Sequence, residues 1–234
     1  MVRSRSAVRF CPTAPIAARP RVYTIYMPDF HFRDLTSAQW RLLLGTLIIA
    51  CGFGVFFFLE GNYEFLGYFP FLLFFIFFIL ITLRETQLPS SLLAMLSLWA
   101  FLHMAGGSVH LGGTRLYDVL VFPMYGRGTE LAFLRYDQIV HFFGTGIVAA
   151  ALHWSIRIHS PHVKRIWRIA FASLAAMGLG TLNEMIEFAA VLLLANTGVG
   201  GYYNNELDLV FNAAGAILVV LGIELYLRLK STPR

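Results

Sequence analysis

The chain has 234 residues, 58% hydrophobic and only 13% charged, with a formal net charge of +5. Soluble domains carry about 25% charged residues, so this deficit points to lipid as the solvent. The basic residues flank apolar stretches, as topology signals and headgroup contacts do, and no nucleic-acid partner is expected. Cys11 and Cys51 lie in unlike settings and form neither a disulfide framework nor a zinc-type spacing.

In chain order, residues 1–36 form a basic tail, with arginines at 3, 5, 9, 19, 21 and 33 and prolines at 12, 15, 20 and 28. No apolar run long enough for a signal-peptide core precedes Leu42. The segment reads as a disordered cytoplasmic tail, or as an over-extended start with Met27 the true initiator. A mitochondrial presequence would share its Arg-rich, acid-free character before Asp29.

Six segments then qualify as membrane spans, since about 20 apolar residues cross a hydrocarbon core of ~30 Å. They lie near Ser37–Leu59, Phe65–Leu83, Leu88–Gly106, Asp137–Ile156, Trp167–Ala195 and Leu207–Leu227. The longer connection Gly107–Tyr136, with Gly-Gly pairs at 106–107 on its boundary and 112–113 within it and with Pro123, has room for short interfacial or re-entrant pieces. The fold class expected is all-α: a polytopic membrane helix bundle of about six spans in a single domain, residues 37–230. Of the 18 Lys and Arg residues, 15 fall in the termini, the second–third loop and the fourth–fifth loop. Only Arg115, Arg127 and Arg135 fall on the other side. With an even number of spans, that split places both termini in the cytoplasm.

Spans one and two contain no interior ionisable side chain, whereas spans three to six contain several. Each is costly in lipid unless it faces the bundle interior or water. With the orientation above, His103 ends span three at the outer face, and Asp137 and His141 begin span four there. Asn183, Glu184 and Glu187 occupy the outer half of span five, and Asp208 and Asn212 begin span six. His110 lies in the outer connection. Asp137 and His141, and Asp208 and Asn212, are spaced i,i+4, and Glu184 and Glu187 i,i+3, so each pair shares a helix face. Asp137-x3-His141-x2-Gly144 also matches Asp208-x3-Asn212-x2-Gly215, as two copies of one hairpin would. Gly144, Gly146 and Gly215 suit close helix approach.

Simpler roles exist for single residues. Asp137 and Asp208 stand where helix caps are expected, and His141 and Asn212 suit interhelical hydrogen bonding. Glu184 and Glu187 are harder to place so simply, because two carboxylates one turn apart repel unless a proton, cation or metal intervenes. His153, His159 and His162 read as solvated or headgroup-facing residues of the inner loop. Trp40, Trp154 and Trp167 read as an inner interfacial belt.

The blocks Leu102-His103-Met104-Ala105-Gly106-Gly107, Tyr136-Asp137-Gln138-Ile139-Val140-His141-Phe142-Phe143 and Glu184-Met185-Ile186-Glu187-Phe188 resemble the YjdF-type family of bacterial inner-membrane proteins, over roughly residues 40–230. That family's pattern implies an Asp-Thr-Gln-x-Asp block before the last span. Here the block is Asn204-Asn205-Glu206-Leu207-Asp208, so only Asp208 is retained. The acid and histidine pattern is similar, more distantly, to the VanZ-like family linked to teicoplanin resistance. Neither resemblance implies a reaction.

Three functions compete at this level. The first is a metal-dependent hydrolase or transferase acting on a lipid or lipid-linked envelope substrate. Asp137, His141, Glu187 and Asp208 would ligate a divalent Zn, Mn, Mg or Fe ion, and Glu184 or Glu187 would act as catalytic base. His103, His110, Asn183 and Asn212 would supply supporting polarity. The second is an ion- or proton-coupled transporter using Glu184 and Glu187. The third is a non-catalytic scaffold held together by its polar cluster. Membrane lipids are partners under all three, and a homo-oligomer is compatible with each.

Overall fold

In a bilayer an unpaired backbone N–H or C=O is costly, and a continuous apolar run of about 20 residues satisfies them within itself by closing into a helix. The computed structural model of the chain describes residues 35–123 and 134–231. These contain six helices long and apolar enough to span a membrane: α1 Ser37–Glu60, α2 Tyr63–Thr86, α3 Ser90–Ser108, α4 Tyr136–His159, α5 Arg165–Leu193 and α6 Tyr202–Ser231. The expected tail lies outside the described residues up to residue 34. At its end Thr36 caps α1, its hydroxyl accepting from the Gln39 amide while the Gln39 side chain accepts from Thr36 N–H.

The chain reverses tightly between α1 and α2, where Gly61 adopts a left-handed conformation (φ 68°) that ends α1. The connection after α3 forms a small hairpin, β1 His110–Leu111 paired antiparallel with β2 Thr114–Arg115, followed by a 3-10 turn at Leu116–Asp118. Tyr117 on that turn is buried and packs with Phe57, Phe65, Met104 and Val140. Short pieces of secondary structure therefore occupy this connection, and one of them packs Tyr117 into the core. Residues 124–133 of the connection lie outside the described set.

Helix α4 is central, packing against α3, α5 and α6. The two longest contacts along it are with partners offset by the same number of positions. His141 meets Asn212 and His153 meets Glu224, both 71 residues apart. The offset matches Asp137 with Asp208 and Gly144 with Gly215, so α4 and α6 run parallel and in register. Gly215 is needed for this approach, because any Cβ there would strike the Phe142 carbonyl oxygen of α4. Gly146 faces Val219 of α6 in the same seam, while Gly144 makes room for Trp99 of α3. Below these glycines the seam is filled by fully buried Ala149, Ala216 and Val220, joined by Ala172 and Ala176 of α5.

Two expectations need correcting here. His153 is not a solvated loop residue: it is 2% exposed, and its Nε2 lies 2.7 Å from Glu224 Oε1. The same carboxylate accepts from Arg168 at 2.8 Å and pairs with Arg165 at 3.3 Å. A buried carboxylate of this kind is tolerated because three cationic or N–H partners surround it. Asp208 is not a helix cap either, since α6 begins at Tyr202 and carries Asp208 inward on its second turn. Trp154 donates to the carbonyl of Gln87, the residue that ends α2, at 2.9 Å.

Candidate metal centre

The helix register places the acids and the imidazole together at one end of the bundle, where α3 and α5 finish and α4 and α6 begin. Asp137 and His141 follow one another on α4, with Asp137 Oδ1 3.4 Å from His141 Nε2. On the other side of the ring, His141 Nδ1 lies 3.3 Å from Glu184 Oε1 of α5 and 3.3 Å from Asn212 Oδ1 of α6. Both neighbours of Nδ1 are acceptors, so that nitrogen carries a proton and donates. Nε2 then faces carboxylate oxygen on the opposite side.

Asn204, at the position where the family resemblance implies an Asp, is the hinge of the site. Its amide donates to Asp137 Oδ2 at 3.0 Å and to Asp208 Oδ2 at 2.7 Å. Asp208 is 0% exposed, and its second oxygen, Oδ1, has no hydrogen-bond partner among the described residues. A buried carboxylate oxygen left alone costs several kcal/mol, on the order of 1–3 even for an uncharged group. On α5, Glu184 accepts from Asn205 at 2.9 Å and from Asn212 at 3.4 Å, and Glu187 accepts from Asn183 at 2.7 Å. The mutual repulsion foreseen for the two glutamates is thus relieved by amide donors and by His141.

Ligating atoms of Asp137, His141 and Asp208 all lie within 4.8 Å of one another, as do those of His141, Glu184 and Glu187. The four expected ligands therefore divide between two groups sharing His141: Asp137 and Asp208 belong to one, Glu187 to the other. His103 stands beside the site without entering either group. Its Nδ1 lies 2.6 Å from the Tyr117 hydroxyl. Burial, with Asp137 and Glu187 nearby, pushes the Tyr117 hydroxyl well above its ordinary pKa, so it stays a donor. His110 is exposed on β1, its ring nitrogen 3.2 Å from the Ser108 carbonyl, and it does not line the chamber.

The chamber above these groups is small, about 30 Å³, and is bounded by Asp137, Glu187, His103, Tyr117 and Asn204. That is room for about one water, and of the clustered acids Asp137 and Glu187 reach its wall. Its roof is the α5–α6 loop, held by two residues that sequence reasoning passed over. Gly198 donates its N–H to Glu64 of α2 and accepts from Arg115 of β2. Arg115 is also bonded to Asp118 at 3.2 Å. The available signal was that Arg115 is one of three basic residues on that side of the membrane, and that Glu64 opens α2 at the same end.

Fold and site together define a six-span helical membrane protein with a buried acid–imidazole cluster at one end. Residues 39–229 match the family described as predicted membrane protein (DUF2238), and the chain belongs to that family. The match is consistent with the YjdF-type resemblance and lends nothing to the VanZ-like one. No curated protein and no solved structure matches the chain.

Proposed function

We propose that this protein is a metal-dependent hydrolase or transferase of the bacterial cytoplasmic membrane, acting on a lipid or lipid-linked envelope substrate. The observation that carries the reading is the unpartnered Oδ1 of fully buried Asp208, beside Asp137 and the Nε2 face of His141. Two carboxylates and an imidazole lone pair converging in a largely buried space repel unless a proton or a cation lies between them, and a divalent cation answers all three at once. Two hard oxygens and one imidazole suit Zn, Mn, Fe or Mg.

In this assignment Asp137, His141 and Asp208 hold the ion, and His141 binds through Nε2. Glu184 accepts the Nδ1 proton of His141, the arrangement by which a carboxylate orients a ligating imidazole and raises its basicity. Glu187, which lines the chamber and is steadied by Asn183, receives the proton released when a nucleophile attacks. A bound divalent ion would supply Lewis acidity and a nucleophile active at neutral pH. Asn204 keeps Asp137 and Asp208 at a fixed separation. The loop at Gly198 must move for any lipid-linked substrate to enter the chamber, because a space of about 30 Å³ is too small for a headgroup.

The excess of basic residues on the opposite side puts the chamber toward the outer leaflet, with both termini cytoplasmic. Ion- or proton-coupled transport fits less well. Between the two polar pairs of the α4–α6 seam lie fully buried Ala149, Ala216 and Val220, and the nearby hydroxyls of Thr145 and Ser173 are spent on helix carbonyls. Metal analysis of detergent-purified protein tests the proposal. The expected result is about one equivalent of divalent metal in the wild type and none in His141→Ala. A wild-type sample that carries no metal and takes up neither Mn nor Zn refutes it.

A further inference from the structure

A second cavity lies on the other half of the bundle and shares no lining residue with the chamber. It is a cleft of about 170 Å³ between α1 and α3, with Leu72 of α2 at its side. It exists because small residues face one another there: Gly45 and Ala50 on α1, Ser97 and Ala100 on α3. The floor is buried Ala50 and Ala100, while Ile49 and Phe101 on the rim are exposed, so the cleft opens sideways to the hydrocarbon. Its only side-chain hydroxyls satisfy themselves. Thr46 Oγ1 and Ser97 Oγ are 2.6 Å apart, and each also reaches a carbonyl of its own helix. The lining therefore offers apolar contact and no unmet polar demand.

At the mouth stands Arg41, which is exposed and makes no hydrogen bond or ion pair with any described residue. Arg115, Arg165 and Arg168, by contrast, each hold a carboxylate. From Arg41 to Ala50 the cleft follows nine residues of helix, about 14 Å, starting where α1 enters the membrane. A guanidinium at the interface with an apolar trough leading inward complements one molecule type: an anionic amphiphile with a phosphate and an alkyl chain.

We infer that this cleft is a binding site for a single anionic phospholipid, with one acyl chain between α1 and α3 and the headgroup phosphate on Arg41. The acyl chain fills space that would otherwise be void, and the fixed charge selects the headgroup. Helix α2 is the contrasting surface. Its exposed Phe71, Phe74 and Phe77 line neither the cleft nor the chamber.

The test is photolabelling of full-length protein in phosphatidylcholine vesicles containing a trace of phosphatidylglycerol or phosphatidylcholine with a diazirine in the acyl chain. Adducts are mapped by mass spectrometry. In the wild type, adducts are expected at residues 45–50 and 97–104, with phosphatidylglycerol favoured about fivefold for one interfacial charge. Arg41→Gln should bring the two probes to parity, and Arg41→Lys should restore most of the preference. Gly45→Leu should abolish cleft adducts with both probes while leaving the melting temperature unchanged, since a Cβ at Gly45 meets no neighbouring atom. Equal labelling by the two wild-type probes overturns the inference. So does a preference that survives Arg41→Gln, or adducts concentrated on Phe71, Phe74 and Phe77 instead of the cleft.

Discussion

Replacing Asp208 by Asn separates a metal centre from a structural polar cluster, because the two predict opposite signs under different conditions. Asp208 Oδ2 accepts from Asn204 at 2.7 Å, and an Asn side chain keeps an oxygen there. The other oxygen, Oδ1, has no partner to lose. Asp137 hangs from the same Asn204 amide at 3.0 Å, so substitution also removes a like-charge neighbour. Two unit charges about 5 Å apart at an effective dielectric of ~20 repel by about 3 kcal/mol. Weakening the charge-assisted bond to Asn204 costs about 1–2 kcal/mol. With a chelator present, Asp208→Asn should therefore match or exceed the wild type by up to about 2 kcal/mol, a rise of roughly 4–8 °C for a domain of this size. Adding Mn or Zn at about 100 times its dissociation constant should then stabilise the wild type by ~2.7 kcal/mol and leave the variant unmoved. Thermal unfolding in detergent, followed by tryptophan fluorescence with chelator and with metal, reads both effects. A variant less stable than the wild type in chelator, together with a wild type indifferent to metal, would refute the reasoning and favour the scaffold.

Glu184→Gln should weaken metal affinity by about 10- to 100-fold by calorimetric titration, as loss of a carboxylate behind a ligating His does. Glu187→Gln should leave metal affinity largely intact and remove activity, since its assigned task is to take up a proton. At the far end of the seam, Glu224→Ala leaves His153 and Arg168 without their shared acceptor. The loss should be about 3–5 kcal/mol in thermal unfolding, with metal content per folded molecule unchanged. Gly215→Ala drives a methyl against the Phe142 carbonyl oxygen. It should cost about 1–3 kcal/mol and lower metal content too, because it parts the helices that carry Asp137 and Asp208.

The fold was legible because its determinants are local. A run such as Phe65–Leu83 can only be a helix in lipid, and its length alone makes it a span. The site was legible in part for a related reason. Asp137, His141, Glu184, Glu187, Asp208 and Asn212 are costly in a bilayer, so each had to turn inward, and topology put them all at the same end. Spacing along one helix could also be read directly, as for Asp137 with His141.

What remained hidden were relations between helices, which depend on rotation and register set by packing. Asn204 looked like the loss of an acid, yet the close approach of α4 and α6 at Gly215 makes it the bridge between Asp137 and Asp208. His153 looked solvated beside a basic loop, and only the same register brings Glu224 against it, 71 residues away. Arg115 and Glu64 lie 51 positions apart, in segments with no shared period, and meet only over the loop at Gly198. Residue order alone is enough to give six apolar spans and to say which side chains must avoid lipid. Tertiary packing alone decided which of them touch, because the lipid's demand on a polar side chain is to turn inward, and it names no partner.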